Sequence, residues 1–292
     1  MITTNYLHQP KHSNSSMVFG NGVNFTGKNH LITPTNTNMQ CSLGSENLAL
    51  LDKIRLIGKA NGQEIYLVGG AVRDCLLGKE PHDLDIMVNG DALEFSRILQ
   101  NADDTTFTRV ILKDKVKRSV IFTNQRVRID VVPLCDDGKE VKDKNKLKQA
   151  RLKNAKKRDF SINTMFIQLG EDKNGNLKLK LIDSIGVKKD LRNNKLVASK
   201  DSISIVEAMR GIRFKIKYDM NVDKKTDIMI REKIRNLKLE NRYTCLRLYY
   251  EFKNIFRLDN NVFDTITTLA KYKTFSSLIL TRIYPIVKKL LK

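Results

Sequence analysis

Hydrophobic and polar positions divide the chain into three stretches with different patterns. The first, residues 1–46, is rich in Ser, Thr and Asn and shows no apolar periodicity. This composition predicts a disordered tail. A Ser/Thr-rich stretch with no acidic residue before Glu46 is also typical of a targeting segment. The stretch contains no Arg, which is atypical of mitochondrial targeting.

The second stretch, residues 47–182, combines helical and strand patterns. Apolar residues at helical spacing predict helices at 45–57, 71–77 and 91–99, the last of them capped by Asp91. Short apolar or alternating runs predict strands at 64–68, 84–88, 107–112, 119–123 and 126–132. These elements predict an α+β fold with helices packed on a small mixed or antiparallel sheet. Residues 136–158 are a charged connector, for which we expect a solvated loop or helix face, a basic arm near RNA or a triphosphate, or both.

Beyond Asp159 the pattern becomes helical. Amphipathic or strongly apolar runs predict helices at 205–216, 226–237, 244–256, 263–269 and 278–291. We therefore expect a head domain at 47–182, followed by a helical neck and a shortened body at 183–292.

The composition points to a polyanionic partner. Lys and Arg number 53 against 32 Asp and Glu, which gives a net charge of +21 and favours nucleic acid, although biased coding DNA also enriches Lys. No apolar run approaches the ~20 residues that span a bilayer, so no membrane segment is predicted. The four cysteines lack metal-ligand spacing and predict core thiols in a reducing compartment, either cytoplasmic or organellar (plastid or mitochondrial), rather than a secreted protein.

Candidate chemistry begins with two aspartates on one predicted strand. Asp83 and Asp85 are two residues apart, so their carboxylates point to the same face. Like charges that close repel each other unless a cation neutralises them, and oxygen-only ligands suit Mg²⁺ or Mn²⁺. The Gly69-Gly70 turn lies between a strand and a helix, where backbone amides can approach phosphate, and Arg73 follows one turn later.

A third carboxylate completes the set. Asp130 lies in an alternating strand among apolar residues, where an acidic side chain is costly unless it is paired, metal-bound or on the exposed face. Three convergent carboxylates are what a two-metal site for phosphoryl transfer needs, with one ion at the attacking hydroxyl and one at the leaving group. We therefore predict that Asp83, Asp85 and Asp130 bind two Mg²⁺ ions, with Mn²⁺ as the alternative, and are the catalytic residues.

Three short motifs resemble those of one family and occur in the same order. Residues 66–78 and 81–85 resemble the head motif of class II tRNA nucleotidyltransferases and bacterial-type poly(A) polymerases. Residues 157–163 are similar to the RRDFTIN motif of that family, and residues 183–191 to its DxxGxxDL motif. The resemblance implies RNA 3′-end nucleotidyl transfer from ATP or CTP, with the 3′ end of tRNA as partner and poly(A) polymerase as the alternative.

The resemblance also implies residue roles. Asp183 and Gly186 are expected to form a hinge between head and neck, or only a structural turn. The residues expected to bind the incoming nucleotide are Gly69, Gly70, Arg73, Arg158, Asp159, Asn163 and Arg210.

The chain departs from the family in a fourth motif and in length. Ser204 and Glu207 stand where the family has the Asp and Arg that read the base edge, and they offer a different set of donors and acceptors. The helical part beyond this motif is also short. These departures favour a further alternative, an RNA-binding protein with weakened catalysis. The intact carboxylates favour an active enzyme.

Overall fold

The structure, a computed structural model, describes residues 17–19, 23–26, 39–136, 139–141, 143–236 and 242–256. Its strands are β1 (Met17–Phe19), β2 (Val23–Thr26), β3 (Met39–Ser42), β4 (Ile65–Val68), β5 (Asp83–Val88), β6 (Arg109–Lys113), β7 (Arg118–Phe122), β8 (Arg128–Pro133), β9 (Cys135–Asp136), β10 (Lys139–Glu140), β11 (Phe166–Glu171), β12 (Leu177–Ile182), β13 (Lys195–Leu196) and β14 (Asn221–Val222). Its helices are α1 (Ser45–Ala60), α2 (Gly69–Leu76), α3 (Ala92–Ala102), α4 (Lys144–Lys157), α5 (Lys188–Arg192), α6 (Ile205–Tyr218), α7 (Lys224–Arg235) and α8 (Arg242–Phe256).

A seven-stranded sheet in the order β12-β11-β4-β5-β8-β7-β6 forms the centre of the head. The β5–β8 pair is parallel, and the other five pairs are antiparallel. Helices α1, α2 and α3 cover one face through a large apolar core. The α+β prediction is therefore confirmed, and the parallel pair lies at the centre of the sheet.

Helix α4 occupies most of the charged connector and covers part of the other sheet face. Its apolar residues Leu147 and Ala150 are buried against Tyr66 and Phe166 of the sheet. Arg151 donates to the Tyr66 hydroxyl at 2.7 Å. A helix with a solvated face is therefore observed, and it does not exclude the prediction of a basic arm near RNA or a triphosphate.

Strands β11 and β12 correct the prediction that the chain is helical beyond Asp159. They form an antiparallel hairpin that extends the central sheet beside β4. Alternation is clear in β12, where the leucines are buried and the lysines between them are exposed. A strand with one buried face alternates apolar and polar residues in this way. The sequence prediction did not use this alternation.

Ordered structure begins before residue 47. Strand β3 pairs in parallel with β2, and Cys41 and Leu43 are almost fully buried in the head core. Cys41 pairs with Cys75 of α2 as a disulfide, with 4.6 Å between the Cα atoms. The sequence predicts separate core thiols at these positions, because pairing across 34 residues leaves no local signal.

Helices α6, α7 and α8 pack together around a second, smaller apolar core. The helices predicted at 205–216, 226–237 and 244–256 correspond to them, whereas those predicted at 263–269 and 278–291 lie outside the described residues. Gly211 of α6 lies against the head, because a Cβ there would come within 2.8 Å of the Phe160 ring. Within the described part of the chain, no helix is long and apolar enough to cross a membrane.

Candidate active site

The turn from β4 into α2 forms the floor of the site. Gly69 has a φ of +61°, a left-handed conformation that favours glycine, and it begins α2 directly after a buried strand. A Cβ at Gly69 would lie 3.1 Å from the Asp85 carboxylate, which is closer than side chains normally pack. The Gly70 amide donates to Asp85 Oδ2 at 3.1 Å. The two glycines thus let a carboxylate and the start of a helix lie in contact.

The predicted metal ligands lie on the two central parallel strands. Asp85 of β5 is directly opposite Asp130 of β8, while Asp83 is opposite Arg128. Leu84, Ile86, Ile129 and Val131 are buried on the opposite face, so the three aspartates share one face. Burial raises the pKa of the Asp85 carboxyl; the Gly70 amide opposes this rise, and the nearby charge of Asp130 adds to it.

The donor set fits a divalent cation in chemistry and register. Hard oxygen ligands suit Mg²⁺, and a cation would relieve the repulsion between Asp85 and Asp130. In this structure Asp130 instead binds Arg128, 2.8 Å from its guanidinium. Among the described residues, no group of three His, Cys, Asp or Glu side chains is arranged to hold a metal ion. The three carboxylates therefore share a face and neighbouring positions without converging on one point.

Next to Asp85 lies a cavity of about 420 Å³, which we call the phosphate cavity. Its lining residues are Gly69, Gly70, Arg73, Asp85, Lys157, Arg158, Asp159, Asn163, Glu207, Arg210, Arg213 and Phe214. Five of them are cationic and three are acidic, so the lining carries a net positive charge suited to a polyphosphate. Eight of the ten predicted site residues line the phosphate cavity, while Asp83 and Asp130 do not.

Arg73 is fixed at the cavity wall by partners from three elements. It donates to Asn163 Oδ1 at 2.8 Å, to Asp74 at 2.9 Å and to the Tyr218 hydroxyl at 3.0 Å. Its guanidinium also lies 4.6 Å from the centroid of the Phe214 ring. Because burial raises the pKa of the Tyr218 hydroxyl, this residue remains a neutral partner between Arg73 and Asp74.

Asp159 and Arg210 form an ion pair between head and helices. The nearly buried Asp159 accepts from Arg210 at 2.6 Å and from Asn163 at 2.8 Å. Burial alone would raise the pKa of Asp159, but the Arg210 charge and these hydrogen bonds hold it below its ordinary value. Arg210 also contacts Glu251 of α8 at 3.1 Å, and Arg213 contacts the other oxygen of Glu251 at 2.8 Å.

Arg158 also lines the phosphate cavity. A Cβ on Gly69 would lie 3.8 Å from its guanidinium, which places this cation at the start of α2. Burial lowers the pKa of Arg158, while the charges of Asp85 and Asp159 oppose the shift. Arginine stays protonated at any working pH, so a cation remains available to a phosphate oxygen here.

Tyr218 and Glu251 were not predicted as site residues. A signal for Glu251 exists, because it is the only acidic residue of α8 and lies three and four residues from the buried Leu248 and Ile255. Tyr218 offers no comparable signal, since its contact with Arg73 spans 145 residues.

Two other predicted features lie outside the cavity or differ from the expected role. Asp183 accepts from the Gly186 amide at 2.9 Å and from the Lys188 amide at 2.8 Å, which is the geometry of a structural turn. Ser204 and Glu207 form a capping box at the start of α6. The second oxygen of Glu207 binds Lys200 at 2.8 Å, so the carboxylate is occupied at both oxygens.

The chain is similar to known proteins over the head and part of the helices that follow it. Residues 65–197 match the poly A polymerase head domain. The chain is 28% identical over 207 residues to an A-adding tRNA nucleotidyltransferase of Geobacter sulfurreducens, covering 68% of this chain and 22% of the relative. It is 29% identical over 221 residues to a CCA-adding enzyme of Streptococcus mutans, covering 73% and 49%.

A solved complex of a CCA-adding enzyme with ATP superposes with a TM-score of 0.66 at 26% identity, over 81% of this chain and 54% of that one. The chain thus spans about half of the solved enzyme's length, and less than half of each of the two curated relatives. Residues 65–197 thus resemble the poly A polymerase head domain, and the similarity to the A-adding and CCA-adding relatives extends over 68% and 73% of this chain.

Proposed function

We propose that this chain is a template-independent nucleotidyltransferase that adds CCA, or part of it, to the 3′ end of tRNA from CTP and ATP. The observation that carries the proposal is the phosphate cavity, where five cationic side chains and Asp85 share one lining and the Gly70 amide of α2 donates to Asp85. The similarity to an A-adding tRNA nucleotidyltransferase and to a CCA-adding enzyme supports tRNA as the RNA substrate.

Different residues of the phosphate cavity would bind different parts of the nucleotide. The amides at Gly69 and Gly70 and the cations Arg73 and Arg158 would bind phosphate oxygens. Asn163 and the Asp159–Arg210 pair would position the ribose end. Such a site acts mainly by positioning and by charge stabilisation, because phosphoryl transfer needs little covalent chemistry from the protein.

The transfer step exchanges the phosphoanhydride bond between the α- and β-phosphates for a phosphodiester bond to the RNA. The RNA 3′ oxygen attacks the α-phosphorus of the nucleotide, the bond to the bridging oxygen breaks, and pyrophosphate leaves while the hydroxyl proton passes to solvent. Asp83, Asp85 and Asp130 would hold two Mg²⁺ ions, or Mn²⁺. When bound, such ions activate the attacking hydroxyl and neutralise charge on the leaving group. Asp85 would be central, because it alone of the three carboxylates lines the phosphate cavity.

We propose that residues 47–182 are the catalytic head and that residues 183–292 are a helical neck and body. Arg210 and Tyr218 of α6 support this division, because they reach the head residues Asp159 and Arg73 at the cavity. The phosphate cavity is therefore lined by residues of both proposed parts.

Glu207 would not recognise the base of the incoming nucleotide, since both of its carboxylate oxygens are hydrogen-bonded within the protein. A hydrogen-bonded carboxylate has less capacity to recognise an amino group on a base. This supports two further candidates: a poly(A) polymerase, consistent with the description of the matched domain, and an RNA-binding protein with weakened catalysis.

One incubation separates the three candidates. Purified protein is mixed with Mg²⁺, labelled ATP or CTP, and either tRNA lacking CCA or an oligoadenylate primer. Short additions to the tRNA support the proposal, whereas long A-tails on the oligoadenylate would identify a poly(A) polymerase. Absence of incorporation with every pair, together with retained RNA binding, would leave only the RNA-binding protein.

A further inference from the structure

A second cavity lies behind one wall of the phosphate cavity. It has a volume of about 500 Å³ and is enclosed by the start of α6, the end of α7 and the start of α8. We call it the neck cavity; residues from all three helices line it, among them Glu207, Arg210, Lys233, Asn236, Tyr243 and Arg247. Glu207 and Arg210 line both cavities, so the two are neighbours.

The shared wall is held by ion pairs on both sides. Glu207 is bound by Lys200 and by the Ser204 amide, and Arg210 by Asp159 and Glu251. Because these charges are already paired, they shape the neck cavity and are poorly suited to bind a free ion there. A ligand must therefore be held by the other groups of the lining.

The other groups offer an aromatic face and hydrogen-bonding side chains. The Tyr243 ring is 65% exposed although it lines the cavity. The Arg247 guanidinium lies 5.7 Å from the ring centroid and donates to the Tyr243 hydroxyl at 3.3 Å, which restrains the ring. The amide of Asn236 and the ammonium of Lys233 belong to the same lining. A restrained aromatic ring beside arginine, with polar groups at its edge, is the surface on which unpaired bases stack.

We propose that the neck cavity binds the base of an unpaired nucleotide near the 3′ end of the RNA, stacked on Tyr243. The inference rests on the proposed function. RNA fits better than a mononucleotide, because the aromatic ring opens to solvent and lets the rest of a strand leave the cavity. The lining also belongs entirely to α6, α7, α8 and the cap residues of α6 and α7, whereas the α2 turn and Asp85 lie in the phosphate cavity beyond the shared wall.

Binding of a labelled single-stranded oligonucleotide of about eight residues, within the range of common site sizes, tests the inference. Fluorescence anisotropy with the full chain and no nucleotide measures affinity without requiring turnover. Tyr243→Ala should weaken binding about tenfold, since stacking is lost, whereas Tyr243→Phe should stay within about twofold of wild type. The slope of log K against log salt should not change in Tyr243→Ala, because no phosphate contact is removed.

Tyr250→Ala is the matched control, since Tyr250 is 53% exposed on the same helix and is not in the cavity lining. Equal losses in both alanine variants, or no loss in Tyr243→Ala, would overturn the inference. Weakened binding of ATP or CTP with unchanged oligonucleotide affinity would overturn the assignment to RNA. Because the assay measures binding, it tests the neck cavity even if the chain incorporates no nucleotide. Failure of this inference can therefore be distinguished from failure of the proposed function.

Discussion

The ion pair between Asp159 and Arg210 allows a quantitative prediction about how head and helices are held together. Asp159 is 5% exposed, and its Oδ1 accepts from the Phe160 amide and Asn163, while Oδ2 accepts from Arg210. In Asp159→Asn, the amide oxygen can keep the first two bonds. The new NH₂ group would face the Arg210 guanidinium, donor against donor, and the ion pair would be lost.

The expected loss of unfolding free energy is about 3 kcal/mol. Removing one partner of a buried ion pair costs about 3–5 kcal/mol. The lower end applies, because the Arg210 side chain is 23% exposed and keeps its contact with Glu251. Urea unfolding followed by circular dichroism measures the difference, provided that the transition is two-state.

Two further variants make the result specific. In a double-mutant cycle with Arg210→Met, the double variant should lose less unfolding free energy than the two single variants lose together, by about 1 kcal/mol or more. Asp201→Asn is the control, because both side chains of the Asp201–Lys225 pair are largely exposed and loss of the pair should leave the urea midpoint unchanged. A loss below about 0.5 kcal/mol in Asp159→Asn, or strict additivity in the cycle, would refute the reasoning.

Three further predictions concern pH, packing and a helix cap. Because the pKa of Asp159 is held low in the folded state, the ionised carboxylate stabilises the protein fully above the unfolded pKa of about 3.9, and this stabilisation is lost as pH falls through the folded pKa. The difference in unfolding free energy between wild type and Asp159→Asn, measured in urea from pH 7 to pH 2.5, should therefore shrink below about pH 4. A constant difference would contradict this. Gly211→Ala should lower the unfolding free energy by about 1–3 kcal/mol despite the better helix propensity of Ala, because the new Cβ would lie 2.8 Å from Phe160 and 3.0 Å from Ile230. The thermal midpoint measures this change, and a rise in the midpoint would contradict the prediction. Asp91→Ala should lower stability by about 1 kcal/mol, because Asp91 caps α3 through two backbone amides, whereas Asp91→Ser should keep most of it in the same urea assay.

The parts of the fold that the sequence predicts are those with local signals. The Gly69–Gly70 turn, the helix cap at Asp91 and the strand with Asp83 and Asp85 each depend on neighbours within a few residues. Periodicity likewise placed α6, α7 and α8 within a few residues of their observed bounds. Local geometry is fixed by such short-range preferences, so these predictions are confirmed.

What the sequence did not predict depends on distant partners. Tyr218 reaches Arg73 across 145 residues, and Glu251 reaches Arg210 across 41. No local pattern records which distant side chains a fold brings together. The hairpin of β11 and β12 is a different case, because the alternation in Leu177–Ile182 is visible in the sequence.

The direct test of the central claim is Mg²⁺-dependent incorporation of labelled ATP or CTP into tRNA lacking CCA by Asp85→Ala and wild type. Asp85 lines the phosphate cavity and is opposite Asp130, so its loss should abolish incorporation while tRNA affinity stays within about twofold. Asp104→Ala, which changes an exposed aspartate in the turn after α3, should incorporate at the wild-type rate. Incorporation by Asp85→Ala at the wild-type rate would contradict the assignment of this carboxylate to catalysis.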